Sequence, residues 1–240
     1  MAYWVMKAVL SPILRFFFRV RVEGLEHVPD DGSAILASNH VSFCDSIFLP
    51  LVLKRRITFV AKAEYFEDPK TAWFFGAMGQ IPIKRGGGPA SQRALESASE
   101  VLRDGQLFGI YPEGTRSPDG RLYRGRTGVA RLAIENKAPV LAVAMIGTRE
   151  AQPIGQVWPN LFRPVTVRVS PPMRFDHVSP DDRMGLRAAT DQIMFEIRRL
   201  SSQEYVDSYC KRGAEAVLEP EATPILSGPP LPDVGEAIPA

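Results

Sequence analysis

The run Ala34-Ile35-Leu36-Ala37-Ser38-Asn39-His40-Val41-Ser42-Phe43-Cys44-Asp45 passes from five small or apolar residues into seven that mix polar and ionisable side chains. A short apolar run of this kind suits a strand buried in a sheet. An ionisable pair just past its end falls where an open α/β sheet has its ligand crevice. Outward from this stretch the same alternation recurs. Val20 to Gly24, Ile57 to Ala61, Gln80 to Lys84, Leu107 to Tyr111, Val140 to Ile146 and Val165 to Ser170 are further strand candidates. Between them, Ser91 to Arg103 places Ala94, Leu95, Ala98, Val101 and Leu102 on one stripe, and Gly105 ends it. Thr127 to Asn136 and Leu186 to Leu200 repeat the helical spacing. The pattern predicts an α/β domain with a mixed, largely buried β-sheet flanked by helices.

With 240 residues, 45% hydrophobic and 23% charged, the chain has material for one substantial core. A formal net charge of +2 argues neither for bulk nucleic-acid binding nor for an acidic partner. Two distant cysteines, Cys44 and Cys210, offer no disulfide framework and no cysteine metal cluster. Residues 1–19 are apolar and aromatic but interrupted by Lys7, Arg15 and Arg19, which is unlike a spanning helix and unlike a secretory signal. Two readings suit them. One is a helix docked on the protein's own core; the favoured one is an interfacial segment whose aromatic residues enter lipid while the three cations meet head groups. Residues 20–216 then form the main domain. Residues 217–240, with Pro220, Pro224, Pro229, Pro230, Pro232 and Pro239, have the composition of a disordered tail.

Three segments offer chemistry. In a regular helix positions five apart point away from each other, so His40 and Asp45 meet only if the chain bends between them ahead of a helix. A carboxylate on one imidazole nitrogen would leave the other as general base; a helix cap is the alternative reading. Tyr111-Pro112-Glu113-Gly114-Thr115-Arg116-Ser117 combines a permissive glycine, two hydroxyls and a planar guanidinium, as an anion site would. Ordinary turn chemistry fits it as well. Gly79 to Gly88 ends in Lys84, Arg85 and three glycines, suited either to a phosphate or to a solvated strand end. The sequence has no Gly-x-Ser-x-Gly turn, phosphate-binding glycine loop, Gly-x-Gly-x-x-Gly or His-Glu-x-x-His, so covalent serine, nucleotide and zinc chemistries lose support.

Taken in order, these blocks resemble the 1-acylglycerol-3-phosphate (lysophosphatidic acid) acyltransferase family of the glycerolipid acyltransferase superfamily, over about Val20 to Arg174. Asn39-His40 to Asp45 is similar to its His-x4-Asp motif, which implies His40 as base and Asp45 as its partner. Gly79 to Arg85 is similar to the second block, implying Arg85 at the acceptor's phosphate, with Lys84 where many members have an acidic residue. Pro112 to Ser117 is similar to the third, implying acceptor binding by Glu113, Gly114, Thr115 and Arg116, with Ser117 beside them; Tyr111 replaces the commoner Phe. Ala138 to Ala144 is similar to the fourth, with Ala142 for its second proline.

The resemblance implies transfer of a fatty acyl group from acyl-coenzyme A or acyl-carrier protein to the free hydroxyl of lysophosphatidic acid, giving phosphatidic acid. It implies no metal or other cofactor and no covalent acyl-enzyme. Its partners are the bilayer, the acyl donor and a lysophospholipid acceptor, not nucleic acid, and the expected place is the cytoplasmic face of a membrane, as a peripheral or monotopic protein. Other acceptors, namely glycerol 3-phosphate, another lysophospholipid or a glycolipid, are alternatives. So is a thioester or lipid hydrolase using the same pair. A non-catalytic lipid-binding protein is the rival from outside enzymes.

Overall fold

The computed structural model describes residues 2–83 and 89–211, apart from the side chains of Lys62 and Lys70. The expectations for Lys84, Arg85 and the tail at 217–240 lie outside the described residues. In chain order the elements are helix α1 (Ala2–Phe18), strand β1 (Arg21–Glu23), β2 (Ala34–Ser38), α2 (Asp45–Val52), β3 (Ile57–Lys62), α3 (Glu64–Glu67), α4 (Pro69–Ala77), β4 (Ile81–Ile83), α5 (Pro89–Arg103), β5 (Leu107–Ile110), β6 (Leu122–Tyr123), α6 (Gly128–Glu135), β7 (Val140–Ile146), α7 (Thr148–Ala151), β8 (Thr166–Val169), α8 (Arg183–Ser201) and β9 (Tyr205–Val206).

Seven strands form one sheet in the order β1-β8-β7-β2-β5-β3-β4. Every pairing is parallel except β7 with β8, so the sheet is mixed, as the sequence predicts. Strand β2 is the centre: Leu36 pairs with Gly109 on one side and Leu141 on the other. Its side chains alternate between two cores, as pleating requires. Ile35 and Ala37 face a core filled by α5, α6 and α8, including Leu102, Leu132, Ile193 and Ile197. Ala34 and Leu36 face a second core, with Phe18 from α1 and Phe48, Leu49 and Val52 from α2. Each fully buried Leu or Phe stabilises this sandwich by about 1.5–3 kcal/mol.

Helix α1 has two faces. Tyr3 and Phe18 are buried, and Leu14 and Phe17 pack on the second core. The Tyr3 hydroxyl, the Ser11 hydroxyl and the Lys7 ammonium donate to the carbonyls of Pro50, Leu51 and Leu53, satisfying groups that the end of α2 leaves open. Lys7, expected at lipid head groups, is thus turned inward. On the opposite face Trp4, Val5, Val9, Ile13 and Phe16 form an exposed apolar stripe. No helix among the described residues is long and apolar enough to cross a membrane.

The carboxyl ends of β2, β5, β3 and β7 open on one edge of the sheet, because these strands run parallel. The turn carrying His40 and Asp45 and the loop from Tyr111 to Ser117 both leave that edge.

Candidate active site

The turn leaving β2 brings the first pair together. His40 Nδ1 lies 2.9 Å from Asp45 Oδ2, and the same oxygen accepts the N–H groups of Val41 and Ser42, each at 2.8 Å. Asp45 is the first residue of α2, and its carboxylate ties back to the turn before the helix while it engages the ring. It therefore serves the His40 pair and not as a cap on the helix's own N–H groups, since the N-cap residue, Cys44, makes no side-chain cap bond. Asp45 is 0% exposed, and its Oδ1 has no hydrogen-bond partner among the described residues. With Nδ1 so engaged, Nε2 of the His40 ring, which lines a cavity, is the nitrogen left for a substrate.

The loop leaving β5 fixes the other side of the ring. Tyr111 stacks on His40, with centroids 3.8 Å apart and planes within 10°. Its hydroxyl shares a 2.9 Å hydrogen bond with Ser46, and Phe59 also stacks with it, centroids 5.4 Å apart. Burial and the neighbouring Asp45 charge push the Tyr111 phenol well above its usual range.

Glu113, Thr115 and Ser117 are buried beside this loop and do not line the cavity. Glu113 Oε2 accepts the His40 N–H at 3.1 Å and Oε1 accepts the Tyr123 N–H at 2.9 Å. Burial pushes its carboxyl up to about 8, although both hydrogen bonds favour the charged form. The Ser117 N–H donates to the His40 carbonyl at 2.7 Å, while its hydroxyl closes the turn to Asp119 and Gly120. Expected at a ligand, Glu113 and Ser117 are instead spent on holding the two loops together.

Gly114 and Arg116 do face the cavity together with His40. Gly114 has φ +76°, and a Cβ there would stand 3.1 Å from Arg126 Nε, so the glycine is what lets that guanidinium approach. Arg126 and Arg131 join Arg116 in the wall, with Thr127, Gly128 and Val129 at the start of α6. Free N–H groups at a helix start favour an anion. The ring of Tyr209 lies 5.1 Å from Arg126.

The cavity measures about 420 Å³. Apolar residues also line it, among them Phe59, Val60, Phe75, Ala94, Leu95 and Ile110. Such a lining suits a ligand that carries both an apolar part and a polar or anionic group. Among the described residues no group of three His, Cys, Asp or Glu side chains converges as a metal site would.

Two further residues position His40. Asn39 is 1% exposed; its Nδ2 donates to Met145 O and to Gln203 Oε1, and its Oδ1 accepts from Met145 N. Gln203 Nε2 in turn donates to Gly120 O at 2.6 Å. Gln203 and Tyr209 carried no sequence signal, because they meet the site through contacts distant along the chain, whereas Arg131 lines the cavity one turn of α6 after Thr127.

The Acyltransferase family profile matches residues 19–146. A chloroplastic 1-acyl-sn-glycerol-3-phosphate acyltransferase of Arabidopsis thaliana is 34% identical over 140 residues, 58% of this chain and 39% of that protein. A 1-acyl-sn-glycerol-3-phosphate acyltransferase of Limnanthes douglasii is 31% identical over 167 residues, 68% of this chain and 57% of its own length. The chain thus spans about two fifths to three fifths of these curated relatives. The crystal structure of the 1-acyl-sn-glycerophosphate acyltransferase PlsC from Thermotoga maritima superposes with a TM-score of 0.59 at 29% identity, covering 75% of this chain and 71% of that one. The matched span holds His40, Asp45, the Tyr111 to Ser117 loop and the cavity between them, and the chain belongs to the Acyltransferase family.

Proposed function

We propose that the protein transfers a fatty acyl group from an acyl thioester to the free hydroxyl of lysophosphatidic acid, forming phosphatidic acid. The observation that carries this reading is one cavity whose lining combines His40 and three arginines, Arg116, Arg126 and Arg131, with apolar side chains such as Phe59, Phe75, Leu95 and Ile110. The activity by which these relatives are named supports the same chemistry.

The acceptor's phosphate binds Arg116 and Arg126 near the start of α6, bringing its hydroxyl to His40 Nε2. His40 removes the proton as the hydroxyl oxygen attacks the thioester carbonyl. Asp45 stabilises the imidazolium, whose ring is held between it and Tyr111. The tetrahedral intermediate collapses, the C–S bond breaks, and the thiolate of coenzyme A or acyl-carrier protein leaves with the proton from His40. The acyl chain lies along the apolar walls. Both substrates are oriented without a protein nucleophile, metal or other cofactor, so positioning supplies much of the rate.

The acceptor lipid and the exposed stripe of α1 support association with a membrane surface, with α1 lying in the interface.

The test is thiol release from palmitoyl-coenzyme A with and without lysophosphatidic acid, with analysis of the lipid products. Acceptor-dependent release with phosphatidic acid formed is the expected result, abolished in His40→Ala. Acceptor-independent release of free fatty acid would replace the reading with a hydrolase. Arg116→Ala should raise KM for the acceptor by about tenfold or more, as expected for losing a charge-assisted hydrogen bond.

A further inference from the structure

The segment between α7 and β8 leaves the same sheet edge as the active site and lies beyond the family match at residues 19–146. In it Val157 is 78% exposed and Trp158 81%, with Leu161 and Phe162 also exposed. Four large apolar side chains on one short loop would be costly in water alone.

The loop is nevertheless tightly built. Gln152 Nε2 donates to the carbonyls of Gln156 and Val157, and Gln156 Nε2 donates to the carbonyl of Trp158. The Asn160 N–H reaches Ala151 O at 2.6 Å. The carbonyls of Val157 and Trp158, the residues that project furthest, thus already accept hydrogen bonds from the protein, which lowers the cost of taking them out of water.

Phe162 is held at φ +64°, an uncommon conformation for an aromatic residue. Its N–H donates to Phe17 O at 2.7 Å, and its ring lies 5.7 Å from that of Phe17. This docks the loop on the end of α1, beside the exposed Phe16. Arg15, Arg19 and Arg163 are exposed around this junction, and cations flanking an apolar tip suit anionic head groups.

At its base the loop is bonded to the catalytic turn. Ser42 Oγ donates to Gln152 O at 2.8 Å and Cys44 Sγ to Gln152 Oε1 at 3.0 Å, both between His40 and Asp45.

We propose that residues 153–163 form a lipid-inserting loop that works with α1 to seat the sheet's active edge on an anionic bilayer, Gln152 fixing the height of His40 above the lipid. This inference goes beyond the proposed reaction and does not depend on it.

The test uses the full chain and two changes. In Trp4→Phe/Trp73→Phe, Trp158 is the last of the chain's three tryptophans and reports its own surroundings. With vesicles of phosphatidylcholine and phosphatidylglycerol its emission should shift to the blue and be quenched by lipids brominated in their chains. In Val157→Ser/Trp158→Ser, partitioning onto those vesicles should fall by roughly tenfold or more, given the apolar area removed, with the melting temperature unchanged. Unshifted Trp158 emission, or undiminished partitioning of the double variant, would overturn the proposal. Equal binding of the wild type to phosphatidylcholine alone would overturn its anionic part. A lipid-free dimer that the double variant dissociates would reassign the loop to a second copy of the chain.

Discussion

Replacing Asp45 with Asn separates two contributions that are usually lost together. Three donors, His40 Nδ1 and the N–H groups of Val41 and Ser42, converge on the single oxygen Oδ2. An amide must therefore put its carbonyl oxygen at that position, since an NH2 there would face three donors. The His40 ring keeps its orientation and its tautomer, and only the charge is removed. At about 4 Å and an effective dielectric constant near 20, a carboxylate favours an imidazolium by about 4 kcal/mol. Part of that is offset by solvent at the ring, so kcat should fall by roughly a hundred- to a thousandfold. The amide NH2 then occupies the place of Oδ1, which has no partner among the described residues. An unsatisfied buried donor costs about 1–3 kcal/mol, so the variant should also melt at lower temperature. The assay is acceptor-dependent thiol release, with unfolding followed by circular dichroism. A folded Asp45→Asn protein with kcat within threefold of wild type would refute the electrostatic role.

Other expectations follow from neighbouring groups. The Glu113 carboxyl, pushed up to about 8 from an ordinary 4.5, binds its proton more tightly folded than unfolded. Its contribution to stability is therefore full below pH 4.5 and lost as pH rises through about 8, by roughly 1.4 kcal/mol per pH unit. Glu113→Gln should remove that slope, and parallel melting curves for the two proteins across this range would contradict it. At Gly109 a Cβ would stand 2.2 Å from the Phe59 ring, so Gly109→Ala should force that ring into the cavity. Turnover of long-chain thioesters should then fall several-fold more than that of short ones, at a stability cost of about 1–3 kcal/mol; an unchanged chain-length profile would show that Phe59 does not bound the acyl channel. Gln203→Ala should lower kcat and leave the acceptor KM nearly unchanged, because Gln203 acts through Asn39 and Gly120; a change confined to KM would count against it.

Legibility in the sequence followed periodicity. Strand β7 coincides with the predicted Val140 to Ile146, an unbroken apolar run, and α5 extends the predicted Ser91 to Arg103 by two residues to Pro89. The stretch Glu64–Ala77 gave no strand or helix in the reading, yet holds α3 and α4. Its aromatic residues pack on one another, as Tyr65 on Phe75, and on Phe43 from the turn before α2, without a repeating stripe. Strands β6 and β9 are two residues each and exist through a pairing between Leu122 and Tyr205 that no local pattern encodes. At the site, the His40 to Asp45 spacing named the pair correctly in proximity. Roles within Tyr111 to Ser117 were harder, since side chains in a loop have no fixed period. Gly114 and Arg116 reach the cavity, whereas Glu113 and Ser117 turn to backbone groups.

The strand order has a consequence for biosynthesis. The central strand β2 is made early, but the partners that flank it, β5 and β7, come about seventy and a hundred residues later, and Gln203 later still. At roughly 5–20 residues per second on the ribosome, the turn from His40 to Asp45 spends seconds to tens of seconds without its walls. Phe48 and the other apolar side chains of α2 then lack Leu107, Leu141 and Val143 of their core, with α1, β2 and β3 alone available to shield them. A fragment ending at Ile146, the limit of the family match, would lack β8, α8 and Gln203, and would expose both cores at once. The smallest piece worth expressing therefore runs through Cys210, whose thiol reaches the carbonyl of Arg116.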